Sequence, residues 1–217
     1  MATGGVGRGI VTPDPPSVYV IADWHALAPV PLADGVRRIV GAGISWIQVR
    51  AKNVPGGDLE RQLDRVFSAL GADEVELWMD DRADLAAVYP FAGVHVGQHD
   101  LPPAAAREVV GPACWIGLST HDEAQVRDAA DDAQVDVVAV GPVFATRGKE
   151  DPDPVVGLEL VRWARQATSK PLVAIGGIDT DRAAMVLEAG ADTVAVLGAI
   201  CHRPLEAACR ALLEAAR

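Results

Sequence analysis

Short apolar runs recur along the chain, each followed by a longer stretch with one polar face: 18-VYVIA-22, 46-WIQVR-50, 75-VELWMD-80, 93-GVHVG-97, 115-WIGLS-119, 135-VDVVAVG-141, 171-PLVAIGG-177 and 193-TVAVLGA-199. The runs are nearly continuously apolar rather than strictly alternating, which is the pattern of parallel strands covered on both faces. The stretches between them have helical spacing. In 57-GDLERQLDRVFSAL-70, Leu59, Leu63, Val66, Phe67 and Leu70 share one face, and 179-DTDRAAMVLEAG-190 opens on a capping Asp and stops at Gly. Similar segments cover 31–42, 102–110, 122–133, 157–168 and 202–216, and 82-RADLAAV-88 is the shortest. Eight β-then-α units with short turns predict an α/β protein, a single-domain (β/α)8 TIM barrel over residues 17–217, preceded by a flexible N-terminal segment, 1–16. A doubly wound open sheet, the rival architecture, does not usually need eight such units.

Composition narrows the partners. The chain has 217 residues, half of them apolar, enough for one large core. Its formal charge of −11 argues against a nucleic-acid or anionic-membrane surface, since both need a cationic face. An anionic ligand must therefore meet a local positive site. Cys114, Cys201 and Cys209 are odd in number and lack metal-ligand spacing, so they read as reduced thiols of a cytoplasmic protein. No apolar stretch has the length of a signal-peptide core or a membrane span. Homo-oligomerisation stays open.

In a barrel the chemistry lies at the C-terminal ends of the strands. There the sequence places Gln48, Arg50 and Lys52, then Asp80 and Asp81, Gln98, His99 and Asp100, Ser119, Thr120 and His121, and finally Thr146 and Lys149. Asp81 and Asp100 follow neighbouring strands and could converge as hard oxygen ligands on Mg²⁺; equally, each could cap the helix that follows. Arg50 and Lys52 suit a metal-bound diphosphate, or else pair with Asp80 or Asp81. The turns 175-IGGID-179 and 197-LGAICH-202, with Gly177, Gly198 and Ala199, offer backbone N–H groups at the usual phosphate position of a barrel. His95, inside a strand, reads as a packing residue, whereas His121 beside Ser119 reaches the site. A Ser/His nucleophile pair there lacks an evident acidic third member. The polar run 143-VFATRGKEDPDP-154 is long enough for a working loop.

Seven ordered motifs, 48-QVRAK-52, 80-DDRADLA-86, 94-VHVGQHDLP-102, 117-GLSTH-121, 141-GPVFATRGK-149, 174-AIGGI-178 and 194-VAVLGAI-200, make the chain resemble the thiamine phosphate synthase family, (β/α)8 proteins that include related thiazole tautomerases. The resemblance, over roughly residues 18–200, implies a transferase that joins hydroxymethylpyrimidine diphosphate to thiazole phosphate with Mg²⁺, releasing diphosphate. It implies Asp81 and Asp100 as metal ligands, and Arg50, Lys52 and Lys149 as diphosphate contacts with Asp80 beside them. It further implies Gln48 as a pyrimidine contact, Ser119 near the leaving diphosphate, and Thr146, Gly177, Gly198 and Ala199 on the thiazole-phosphate side. Lys149 would tip a lid. The family usually has Asn at Asp80, Glu at Ala51, a second Thr at Gly148 and Ser at Gly198. Two alternatives accompany this reading: a tautomerase in which His121 moves the proton, and a phosphate-binding barrel without turnover.

Overall fold

The structure is a computed structural model describing residues 14–70, 75–146, 153–201 and 204–217. The strands β1 (Val18–Asp23), β2 (Trp46–Arg50), β3 (Glu76–Asp80), β4 (Gly93–Val96), β5 (Trp115–Thr120), β6 (Val137–Val140), β7 (Leu172–Ile175) and β8 (Thr193–Val196) close into one parallel barrel in chain order. The helices α1 (Leu32–Gly41), α2 (Gly56–Leu70), α3 (Ala83–Val88), α4 (Pro103–Val110), α5 (Glu123–Asp131), α6 (Gly157–Ala167), α7 (Ala183–Glu188) and α8 (Leu205–Ala215) alternate with them. The expected single-domain (β/α)8 barrel is the observed one. Residues 1–13 of the expected flexible segment lie outside the described residues. Among the described residues, no helix is long and apolar enough to cross a membrane.

Strand pleating sends successive side chains to opposite faces and so produces two apolar regions. Val18, Val20 and Ala22 of β1, with Ile47 and Val49 of β2, face the helices and join the main core. There α2 buries Leu59, Leu63 and Val66, each contributing roughly 1.5–3 kcal/mol. The alternate positions point inward. Tyr19, Trp46, Trp78, Val137, Ala139, Val173 and Ala195 fill the barrel, with Trp115 and Ile175 packed against them.

Three indoles and a phenol therefore occupy a space usually filled by branched aliphatics. Ring centroids lie 5.2 Å apart for Trp46–Trp78, 5.6 Å for Tyr19–Trp46 and 5.9 Å for Trp78–Trp115. Glycine makes the room: Gly93 stands in register with Trp78, and a Cβ there would fall 2.4 Å from the indole. The plug closes the barrel from below. Gln48 and Asp80 are each two residues beyond a plug tryptophan on the same inward row, so the plug forms the floor beneath them.

Several elements are shorter than their apolar runs suggest. The run 135–141 yields β6 only from Val137, because Asp136 is held by Arg107 (2.6 Å) and by the Ile116 N–H (2.8 Å) at the base of the sheet. Asp192 makes the matching contacts before β8, to Arg165 (2.7 Å) and the Leu172 N–H (2.8 Å). β7 stops at Ile175 because Gly176 and Gly177 turn at φ +104° and +64°. The segment predicted to be helical from Asp179 becomes α7 only at Ala183, since the Asp179 carboxylate first accepts the N–H groups of Asp181 and Arg182.

Candidate active site

A cavity of about 950 Å³ opens at the C-terminal mouth of the barrel. Its walls include nine of the residues singled out from the sequence: Gln48, Arg50, Asp80, Ser119, His121, Thr146, Gly177, Gly198 and Ala199. These belong to the ends of β2, β3, β5, β6, β7 and β8 and the turns that follow them. Lys52, Asp81 and Asp100 stand beside it rather than in its lining, and Lys149 and Gly148 lie outside the described residues.

The rim is a network of opposite charges. Arg50 donates to Asp23 and lies 3.6 Å from Asp80, measured from Nε to Oδ2. Lys52 pairs with Asp81 and is 3.8 Å from Asp80 Oδ2. Neither suspected cap is formed: the N-cap positions of α3 and α4 are Arg82 and Pro102, neither of which makes a side-chain cap, Asp81 instead faces Lys52, and Asp100 Oδ2 accepts the Gly97 N–H at 2.9 Å. Asp81 adopts φ +57°, the left-handed conformation that a non-glycine residue holds only at a cost of order 1–2 kcal/mol. Among the described residues, no group of three or more His, Cys, Asp or Glu side chains is arranged to enclose a metal ion.

Asp80 is the exceptional carboxylate. Its Oδ2 is buried and has no hydrogen-bond partner. Burial pushes its carboxyl up to about 6; the charges of Lys52 and Arg50 oppose the rise, while Asp100 and Asp23 add to it. Arg50 and Lys52 thus face three carboxylates, those of Asp23, Asp80 and Asp81, with Asp100 close enough to Asp80 to add its charge. By themselves these groups do not attract a polyphosphate. A hard divalent cation suits such oxygen donors and would reverse the balance.

The rest of the lining is mostly neutral and apolar, with Asp153 and Asp179 as its carboxylates. Gln48 Nε2 donates to Tyr19 Oη at 3.3 Å at the floor. Ser119 Oγ lies 2.9 Å from Nε2 of His95, whose ring packs over Gly117, where a Cβ would fall 2.5 Å from Nδ1. His95 is therefore both a packing residue and a wall of the cavity, a role missed in the sequence. The shared inward row of Asp80, His95 and Gly117 is the signal that could have found it. The histidine paired with Ser119 is His95 and not the sequence neighbour His121. His121 Nδ1 meets the Gly141 carbonyl at 2.6 Å, and its Nε2 lies 3.5 Å from Asp153 Oδ2. That acidic neighbour was hidden in the polar loop.

Beyond β7, Gly176 and Gly177 lie against the chain that leaves β6. A Cβ on Gly176 would meet Pro142 Cα at 2.5 Å, and one on Gly177 the Ala145 carbonyl at 2.5 Å. These glycines are required by close backbone approach as well as by their φ. Arg182 secures the turn, donating to the Gly177 carbonyl at 2.6 Å while its guanidinium stacks 4.8 Å from the Phe144 ring. Gly198 opens a 3₁₀ turn, Gly198–Ile200, and has open space where a side chain would be. Cys201 also reaches the wall; all three cysteines are free.

Fold and rim together define a (β/α)8-barrel protein with a charged cavity at the C-terminal ends of its strands, the place where barrel enzymes carry their chemistry. The chain belongs to the thiamine monophosphate synthase family, whose sequence profile matches residues 18–200. It is 44% identical over 197 residues to a thiamine-phosphate synthase of Koribacter versatilis, covering 89% of this chain and 92% of that one. It is 35% identical to the enzyme of Azorhizobium caulinodans over 87% of this chain and 88% of that one. A thiamine phosphate pyrophosphorylase from Pyrococcus furiosus superposes with a TM-score of 0.81 at 29% identity, covering 92% and 95% of the two chains.

Proposed function

We propose that this chain joins hydroxymethylpyrimidine diphosphate to thiazole phosphate, forming thiamine phosphate and diphosphate. The observation that carries the reading is the cavity itself. It brings a charged wall at β2 and β3, a neutral amide at its floor and backbone turns after β7 and β8 around one volume. Such a division suits two substrates, one carrying a diphosphate and the other a monophosphate.

The C–O bond to the diphosphate breaks with its electron pair on the leaving oxygen. The thiazole nitrogen then forms the new C–N bond with its lone pair, and no proton is lost in either step. Arg50 and Lys52, with Lys149 from the loop, hold the leaving group and take up its growing charge. Ser119, oriented by His95, donates to it. Gln48 and Tyr19 orient the pyrimidine over the aromatic floor, and the apolar surroundings exclude water from the cation. Thr146 and the turns at Gly177, Gly198 and Ala199 receive the second phosphate.

The donor set at the rim fits Mg²⁺: Asp81 and Asp100 would hold it, with the buried Asp80 oxygen, which accepts no hydrogen bond, beside them. When bound, Mg²⁺ neutralises charge on the diphosphate. The direct test is to supply both substrates to purified protein and follow release of diphosphate. Product that forms only with divalent cation is expected; no product at any enzyme level, or equal rates in EDTA, contradicts the reading.

A tautomerase reading is favoured by one observation, the His121 ring held between the Gly141 carbonyl and Asp153 with access to the cavity. The two readings separate cleanly. Asp81→Ala should abolish condensation and leave proton transfer at a carboxythiazole phosphate intact, whereas His121→Ala should do the reverse.

A further inference from the structure

We infer that Asp23 is a positioning residue for the condensation: it fixes the Arg50 guanidinium so that the remaining N–H groups meet the diphosphate. The inference rests on the function proposed above. Asp23 closes β1 in register with Arg50, and its side chain is only 5% exposed. Both of its oxygens are engaged. Oδ2 accepts from Arg50 NH1, while Oδ1 accepts the backbone N–H groups of His25 at 3.0 Å and Ala26 at 2.9 Å. The Arg50 backbone is tied to the same corner, since its carbonyl accepts the Trp24 N–H at 2.8 Å.

Two backbone N–H groups therefore hold the carboxylate independently of Arg50, so it does not swing to follow the arginine. The arginine follows it instead. Asp80, on the other side of the guanidinium, lies 3.6 Å from Nε, too far to fix the planar fork by hydrogen bonding. Arg50 contributes to the cavity wall and Asp23 does not, so Asp23 acts through its neighbour. A buried ion pair is weak support for stability, because well-packed apolar residues do as well. Stiffening the fork explains why a charge stands here: a guanidinium already oriented loses less freedom when it grips two phosphate oxygens.

Asp23→Asn tests this, because it keeps a side-chain carbonyl for His25 and Ala26 but presents no charge to Arg50. The KM for the pyrimidine diphosphate should rise by roughly 10–100-fold, the worth of an oriented charge-assisted pair, while the KM for thiazole phosphate stays unchanged. Calorimetry with inorganic pyrophosphate and Mg²⁺ should show a loss of similar size. Asp23→Asn added to Arg50→Ala should cost nothing further. Asp23→Ser, which retains an oxygen for the two N–H groups, serves if the asparagine variant does not fold. A rise in both KM values, or an additive loss in the double variant, would overturn the role. If wild-type protein forms no thiamine phosphate yet the pyrophosphate cycle shows the coupling, the positioning role stands and the proposed reaction falls. Normal wild-type turnover with no coupling between the two residues overturns the positioning role and leaves the reaction standing.

Discussion

Asp80 combines two properties that oppose each other, a buried carboxylate oxygen without a hydrogen-bond partner and a place beside two cations. Its carboxyl titrates near 6 in the folded protein against an ordinary 3.8. The folded state therefore binds the extra proton between these values, and the stability this contributes is complete below 3.8 and lost as pH rises through about 6. In protein stripped of divalent cations, Asp80→Asn should thus gain about 1–3 kcal/mol over wild type at pH 8 and nothing below pH 4. Urea denaturation across that range measures it, and a gain equal at both ends would refute the assignment. Gly198 poses the complementary case. Open space surrounds its missing side chain and its φ is not positive, so Gly198→Ser should fold normally. The added hydroxyl should lower the KM for thiazole phosphate about 10–100-fold, the net worth of one hydrogen bond to a charged group; an unchanged KM would place the phosphate elsewhere.

At the level of elements, the turn after β7 is held on both sides. It is pressed against the β6 exit at Pro142 and Ala145 and pinned by Arg182. Gly177→Ala must either displace Ala145 or abandon φ +64°, and both move the turn. The KM for thiazole phosphate should rise at least about tenfold, with that for the pyrimidine diphosphate little altered, which steady-state kinetics with each substrate varied would reveal. Strand ends explain what the sequence made legible. Arg50, Asp80 and Ser119 could be found because each closes an apolar run, and eight such runs alternating with helices announced the barrel. His95 was not legible as a wall residue, because its partner Ser119 belongs to another strand and the contact depends on inter-strand register. Asp23 escaped because the apolar run ends at Ala22, one residue before the strand does. The Asp153 contact depends on how a polar loop folds back, which no local pattern encodes. Asp81 and Asp100 were legible as acids but not as non-caps, since capping geometry is decided by backbone angles.

For the molecule as a whole, a formal charge of −11 surrounds a mouth where carboxylates outnumber the described cations. A polyanion approaching without metal is repelled at long range, so added salt should strengthen metal-free pyrophosphate binding, opposite to the usual behaviour of anion sites. With Mg²⁺ the affinity should rise at least about 100-fold and the salt dependence should weaken; calorimetry at two ionic strengths, with and without EDTA, checks both signs. The aromatic plug gives such titrations a natural readout. Three of the five tryptophans sit inside the barrel, and Trp78 lies in register beside Gln48, on the row that ends at Asp80. Indoles that close to the cavity floor emit light whose colour and yield depend on what lies above them. Filling the cavity should change that emission, making the unlabelled protein its own optical gauge of occupancy.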